Sequence, residues 1–139
     1  MIINNVNHPA LNDGGFPADL VNLVDKLEVM LNIVWSCIFE QNKHIGVLLP
    51  NYTSVKKFND ELKGVIDERL LQLKCNNIRK IETSNGVMVL AFNSVNSMRG
   101  TTLNTVYVAN DLTKKQYDEF VVSMIPTLRG GPIISFLNT

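Results

Sequence analysis

The 139-residue chain reads as an α/β protein, a three-layer domain with a mostly parallel sheet and flanking helices. Three observations predict it. Short apolar runs closed by Pro or Gly have the length and composition of buried strands: "HIGVLLP" (44–50), "TVYVA" (105–109) and "PIISFL" (132–137). Segments with apolar residues at helical spacing alternate with them. One strong hairpin signal, Asn85-Gly86 between "IRKIE" and "VMVLAF", adds an antiparallel pair. The resulting order, α-β-α-ββ-β-α-β, favours a single sheet covered by helices.

The elements follow in order. Residues 1–16 form an irregular lead-in, with a short strand at Met1–Val6 and turn chemistry at Asp13-Gly14-Gly15. Residues 17–139 form one domain, as the length suggests. Pro17 suits a first helical turn. Leu20, Leu23, Val24, Leu27, Met30, Leu31, Val34, Trp35 and Ile38 then recur at helical spacing, which predicts a helix over about 17–41. Val21, Val29 and Ile33 widen its stripe, so burial on more than one side is expected. After the strand at 44–50, Thr53 or Ser54 can cap a second helix over roughly 53–73. Its Val55, Phe58, Leu62, Ile66 and Leu70 face inward; Lys56, Lys57, Asp60, Glu61, Lys63, Asp67 and Glu68 face outward. Beyond the hairpin, residues 93–102 are a polar loop holding Arg99-Gly100, and a strand follows at 105–109. A helix at about 113–125, capped by Thr113, stops before Pro126. Arg129-Gly130-Gly131 turns the chain into the last strand.

Composition narrows the function. An apolar fraction of 45% supplies a full core. Thirteen basic and thirteen acidic residues cancel, which argues against a broad basic surface for nucleic acid. Cys37 and Cys75, with His8 and His44, lack the spacing of a zinc site, so no metal is expected. The cysteines are expected to be reduced thiols of a cytoplasmic-type protein. Asn4, Asn5, Asn7 and His8 interrupt any signal-like run. The apolar stretch from Val29 to Phe39 is too short to span a bilayer, so no membrane partner is expected.

Phosphate cradles need glycines for close backbone approach, a Lys for the outer phosphates and a hydroxyl for the metal. No G-x-x-x-x-G-K-S/T occurs. Arg99-Gly100-Thr101-Thr102 is the nearest look-alike, but it runs into a strand and not into a helix. Asp13-Gly14-Gly15 has no Lys, and Asp13 would repel phosphate. No Ser-His-Asp or Cys-His set emerges. His44 reads as a strand-edge residue, Glu28 and Glu40 as isolated solvated acids, and Lys26 as a snorkelling surface lysine. Arg99 can bind a phosphate or carboxylate; a salt bridge to Asp111 or Glu119 explains it equally well.

From about residue 35 onward the chain resembles the ATPase domain of phage large terminases, the motors that package viral DNA. "WSCIFEQNKHIGVLLPNYTSVKKFNDELK" resembles the helix, strand and helix after that family's phosphate loop. "IRKIETSNGVMVLAF" resembles its hairpin. "NSMRGTTLNTVYVAND" resembles the loop and strand that carry its metal-binding acids, and "SMIPTLRGGPIISFLNT" the segment and strand of its coupling motif. The resemblance implies a topology like that of phosphate-loop NTPases. "IGVLLPNYTSVKKFNDELK" and "VLAFNSVNSMRGTTLNTVYV" also resemble the second motor domain of UvrD-like helicases, which is the alternative reading.

The departures fall on the positions that carry chemistry. The family's phosphate-loop Lys corresponds to Asp25 or, with one gap, Lys26, flanked by Val24 and Leu27 where Gly and a hydroxyl residue belong. A Leu cannot ligate a metal, and a helical Val-Asp cannot wrap a phosphate. The paired acids correspond to Ala109 and Asn110. Asn can touch a hydrated metal but is no base at neutral pH. Asp111 would share a strand face with Ala109 but lie about 6–7 Å further along. No counterpart of the nuclease domain of full-length terminases is expected within residues 1–139. The resemblance therefore implies a pseudo-ATPase without a working phosphate loop: a viral binding or regulatory module of the host cytoplasm, with no cofactor and no catalytic residue. Lys26, Arg99 and Asp111 are the vestigial nucleotide-binding candidates. The implied partner is a protein of the packaging motor, the portal or the host. Two rival expectations are a residual enzyme using Lys26, Asp111 and Arg99, and a nucleic-acid binder using Lys43, Lys56, Lys57, Arg79, Lys80 and Arg99.

Overall fold

The computed structural model describes residues 24–66, 73–76, 79–94, 102–123 and 133–138. The elements are β1 (Val24–Asp25), α1 (Lys26–Phe39), β2 (His44–Leu48), α2 (Tyr52–Val65), β3 (Leu73–Asn76), β4 (Lys80–Thr83), β5 (Met88–Phe92), β6 (Thr105–Ala109), α3 (Lys114–Ser123) and β7 (Ile133–Leu137). The seven strands form one sheet in the order β1-β7-β6-β2-β5-β4-β3. The first five in that order run parallel, and β4 and β3 add an antiparallel end. This is the expected α/β class.

The three layers follow from strand alternation. Ile45 and Val47 of β2, Val89 and Ala91 of β5, and Tyr107 and Ala109 of β6 join Val29, Ile33, Val55, Phe58 and Leu62 in one core beneath α1 and α2. Leu48, Phe92, Val106, Val108 and Ile133 point the other way, into a second core closed by Tyr117 and Phe120 of α3. Every residue of β6 is buried, as a central strand covered on both faces requires. In that second core Gly46 is needed for space: a Cβ there would lie 2.9 Å from Leu103 Cδ1. The hairpin forms where Asn85-Gly86 placed it. Gly86 takes φ +82°, and a Cβ on it would collide with Asn42. Asn42 itself donates its N–H to the Asn85 carbonyl at 3.1 Å, docking the hairpin tip on the α1–β2 loop.

Several expectations are corrected. The first helix does not run through Val24 and Asp25. These two residues are extended and pair with Phe136 and Leu137 of β7, and α1 starts at Lys26. Local periodicity carried on past the true boundary, where pairing with a strand more than a hundred residues away wins. Nor is α1 buried on several sides: Leu27, Leu31, Trp35, Ile38 and Phe39 are exposed. The second helix is capped by Asn51, whose Oδ1 accepts the Ser54 N–H at 2.8 Å, and ends at Val65 with Ile66 extended. β3 occupies Leu73–Asn76, a strand not among the expected elements and one that includes Leu73, where the second helix was expected to end. Glu40 is not isolated, since Ser36 Oγ and Lys43 Nζ both donate to it, at 2.7 and 3.1 Å. The third helix has the expected Thr113 cap: Gln116 N–H donates to Thr113 Oγ1, and Thr113 N–H donates back to Gln116 Oε1. The lead-in at 1–16, the Asp13-Gly14-Gly15 turn, the Arg99 loop and the Arg129-Gly130-Gly131 turn lie outside the described residues.

Candidate functional site

In open α/β sheets ligands bind beyond the carboxyl ends of the parallel strands. Here that edge brings together Asp25, Leu137, Asn138, Ala109, Asn110, Pro50 and Asn51. Asp25 pairs with Leu137, and Ala109 pairs with Phe136, so the ends of β1, β7 and β6 lie side by side.

At the β1–α1 junction no residue separates strand from helix. Asp25 is at once the last strand residue and the helix cap, its Oδ1 accepting the Glu28 N–H at 2.8 Å. A free helix N-terminus offers N–H groups and a partial positive charge to an anion; here a carboxylate of the chain itself already occupies it. Lys26, the first residue of α1, is only 7% exposed, so it is not the expected surface lysine. Its Nζ donates to Glu61 Oε1 on α2 at 2.9 Å and lies 6.0 Å from the Phe58 ring centre. The ammonium is thus turned into the seam between the two helices.

At the end of β6, Ala109 is fully buried and offers no ligand. Asn110 donates its N–H to the Phe136 carbonyl, and its Oδ1 accepts the Asn138 N–H at 3.0 Å. Asp111 stands beyond the strand, in the turn. Both of its carboxylate oxygens accept from Asn138 Nδ2, at 3.3 and 3.1 Å. Asn110 and Asp111 thus brace β6 against β7 through Asn138, and Ala109 pairs with Phe136 in the sheet. Just after β2, the Pro50 carbonyl accepts from Gln116 Nε2 of α3 at 2.7 Å.

Lys26 and Asp111 therefore share one sheet edge but engage different partners, and Arg99 lies outside the described residues. Among those residues no three His, Cys, Asp or Glu side chains come close enough to hold a metal. His44 is satisfied at the sheet margin, with Nδ1 3.0 Å from the Thr102 carbonyl. Cys37 is a free, buried thiol, and burial pushes it up to about 11, so it stays protonated and unreactive at neutral pH. Glu61, Gln116 and Asn138 were not singled out as site residues in the sequence; each acquires its role from a partner 27 to 66 positions away.

No protein-family profile matches the chain. No curated protein matches it in sequence. Among solved structures it is similar to the ATPase domain of the large terminase of Thermus phage P74-26, with a TM-score of 0.63 and 12% identity over 81% of this chain and 54% of that one. The chain thus spans about half the length of that domain structure. The likeness shows a terminase-like α/β fold. No described helix is long and apolar enough to cross a membrane.

Proposed function

We propose that this chain is a non-catalytic, terminase-like pseudo-ATPase, a viral binding or regulatory module linked to DNA packaging in the host cytoplasm. The closed β1–α1 junction carries the reading. A triphosphate placed there would face the Asp25 carboxylate where it needs free N–H groups, and Lys26 would have to leave Glu61 to reach it. Ala109 and Asn110 supply no carboxylate for a metal at the end of β6, and phosphoryl transfer depends on such charge neutralisation. Lys26, Arg99 and Asp111 are on this reading vestiges of a nucleotide site, and the partner is a protein of the motor, portal or host. Mg-ATP is expected to leave the thermal unfolding midpoint unchanged and to undergo no turnover. An ATP-dependent rise in that midpoint would overturn the proposal.

A second reading, nucleic-acid binding, rests on one surface. Tyr52 is exposed at the start of α2, with the Arg79 guanidinium 5.6 Å from its ring centre, and Lys56 and Lys57 stand exposed in the next turn. Aromatic and cationic groups so placed can stack bases and meet phosphates. Binding of a single-stranded oligonucleotide should then weaken steeply between about 50 and 200 mM salt and depend on Tyr52. Salt-independent or absent binding removes this reading.

A further inference from the structure

Helix α1 has an outward face unlike that of a solvated helix. Leu27, Leu31, Trp35 and Phe39 repeat every four residues, and Ile38 flanks them; these five are 41–67% exposed. The Trp35 and Phe39 rings lean together with centroids 5.3 Å apart. Glu28 is the one exposed charged residue of the helix, at its N-terminal end, and Asn32 is the other exposed polar one. A row of apolar side chains about 18 Å long, with so little charge, is an interaction surface and not a solubilising one.

We propose that two copies of this chain associate through α1, with the helices antiparallel about a two-fold axis. The antiparallel arrangement sets Leu27 against the partner's Phe39 and Leu31 against the partner's Trp35, so that small side chains meet large ones. A parallel arrangement would stack Trp35 on Trp35 and set Glu28 against Glu28. Antiparallel packing also opposes the helix dipoles favourably. The zero net charge of the chain adds no general repulsion between copies. Taking full areas of about 150–250 Å² per large side chain, the five present roughly 500 Å² per copy. Two copies then bury about 1,000 Å², the size of a weak, reversible interface.

Sedimentation of the full chain from about 2 to 200 µM tests this by mass action. The mass should rise from 15.6 kDa toward twice that value, with Trp35 emission shifting to the blue as it rises. Trp35→Glu and Leu31→Glu should each weaken association at least tenfold while the far-ultraviolet dichroism stays unchanged. Lys115→Glu, on the exposed side of α3, should leave association as it was. Mixing wild type with Glu28→Arg should show no preference for the mixed dimer. A chain that stays monomeric over the whole range overturns the proposal. So does Trp35 emission that is blue-shifted at every concentration, because another part of the same chain then covers the face. A preferred mixed dimer overturns the antiparallel arrangement.

Discussion

Helices α1 and α2 are each fourteen residues long and lie on the same face of the sheet, yet they meet solvent in opposite ways. α2 sends Val55, Phe58 and Leu62 into the core and shows Lys56, Lys57, Asp60 and Glu61 outward. α1 buries Val29, Met30, Ile33 and Cys37 but shows leucines and aromatics outward. The inward faces do the same work, so burial under the sheet does not explain the difference. What differs is the outward requirement: α2 is written for water and α1 for contact. The one charge that α1 places inward, Lys26, is the one it uses to join α2.

The sharpest way to break this comparison is to truncate one ring on each helix. Phe58 is fully buried on α2 and packs 6.1 Å from the ring of Phe136. Phe58→Ala should lower unfolding stability by about 3–5 kcal/mol in denaturant titration. Trp35→Ala, measured at low micromolar concentration, should change it by no more than about 0.5 kcal/mol. Equal losses would mean that the outer face of α1 is already packed within one copy.

The ion pair between the helices comes next. Glu61→Ala strands a buried ammonium and should cost about 1–3 kcal/mol, moderated by the solvent that still reaches Glu61. Lys26→Met keeps the stem packed on Phe58 and should fall within about 1 kcal/mol of wild type. A fold that tolerates Met at this position holds Lys26 as a packing residue.

The caps should be a closer match. Asp25→Ala and Asn51→Ala each release one N–H at a helix start, at about 1 kcal/mol apiece. A much larger loss at Asp25 would show that β1 pairing depends on that cap.

The smallest effects are in pH. The Ser36 hydrogen bond, and after it Lys43, hold the Glu40 carboxyl below its usual value. A depressed pKa stabilises the fold above the unfolded value, and that part is lost as pH falls through the folded one. Glu40→Gln should flatten the acid limb of the stability curve. Tyr107, facing α1 from β6, behaves in the opposite sense. Burial, then the charges of Glu40 and Glu28, push it up from 10.0 to about 12. Stability tied to its neutral form is complete below about pH 10 and is lost as pH rises toward 12. Tyr107→Phe should remove that alkaline decline, read from tyrosinate absorbance and unfolding curves together.

Much of the fold was legible because its signals are local. β6 at Thr105–Ala109 is bounded as the apolar run predicted, since a strand buried on both faces needs no alternation. The hairpin was legible because Asn-Gly suits its turn, and α3 because Thr113 and Gln116 form a capping pair within one turn. The start of α1 was not legible. Leu20, Leu23 and Leu27 keep helical spacing across the boundary, and nothing nearby announces that Val24 and Asp25 will pair with β7.

The sequence by itself determined the α/β class, the buried central strands and the hairpin, because composition and period are written along the chain. The tertiary structure decided what the candidate residues do. Asp25 closes a helix that the sequence had run through it, Lys26 turns inward to Glu61, and Asp111 is taken by Asn138. Each outcome depends on a partner that arrives through sheet order or helix packing, and no local spacing encodes which distant residue that will be. The exposed face of α1 belongs to the same class: its apolar residues were plain in the sequence, but only the packed sheet shows which of them the core leaves out.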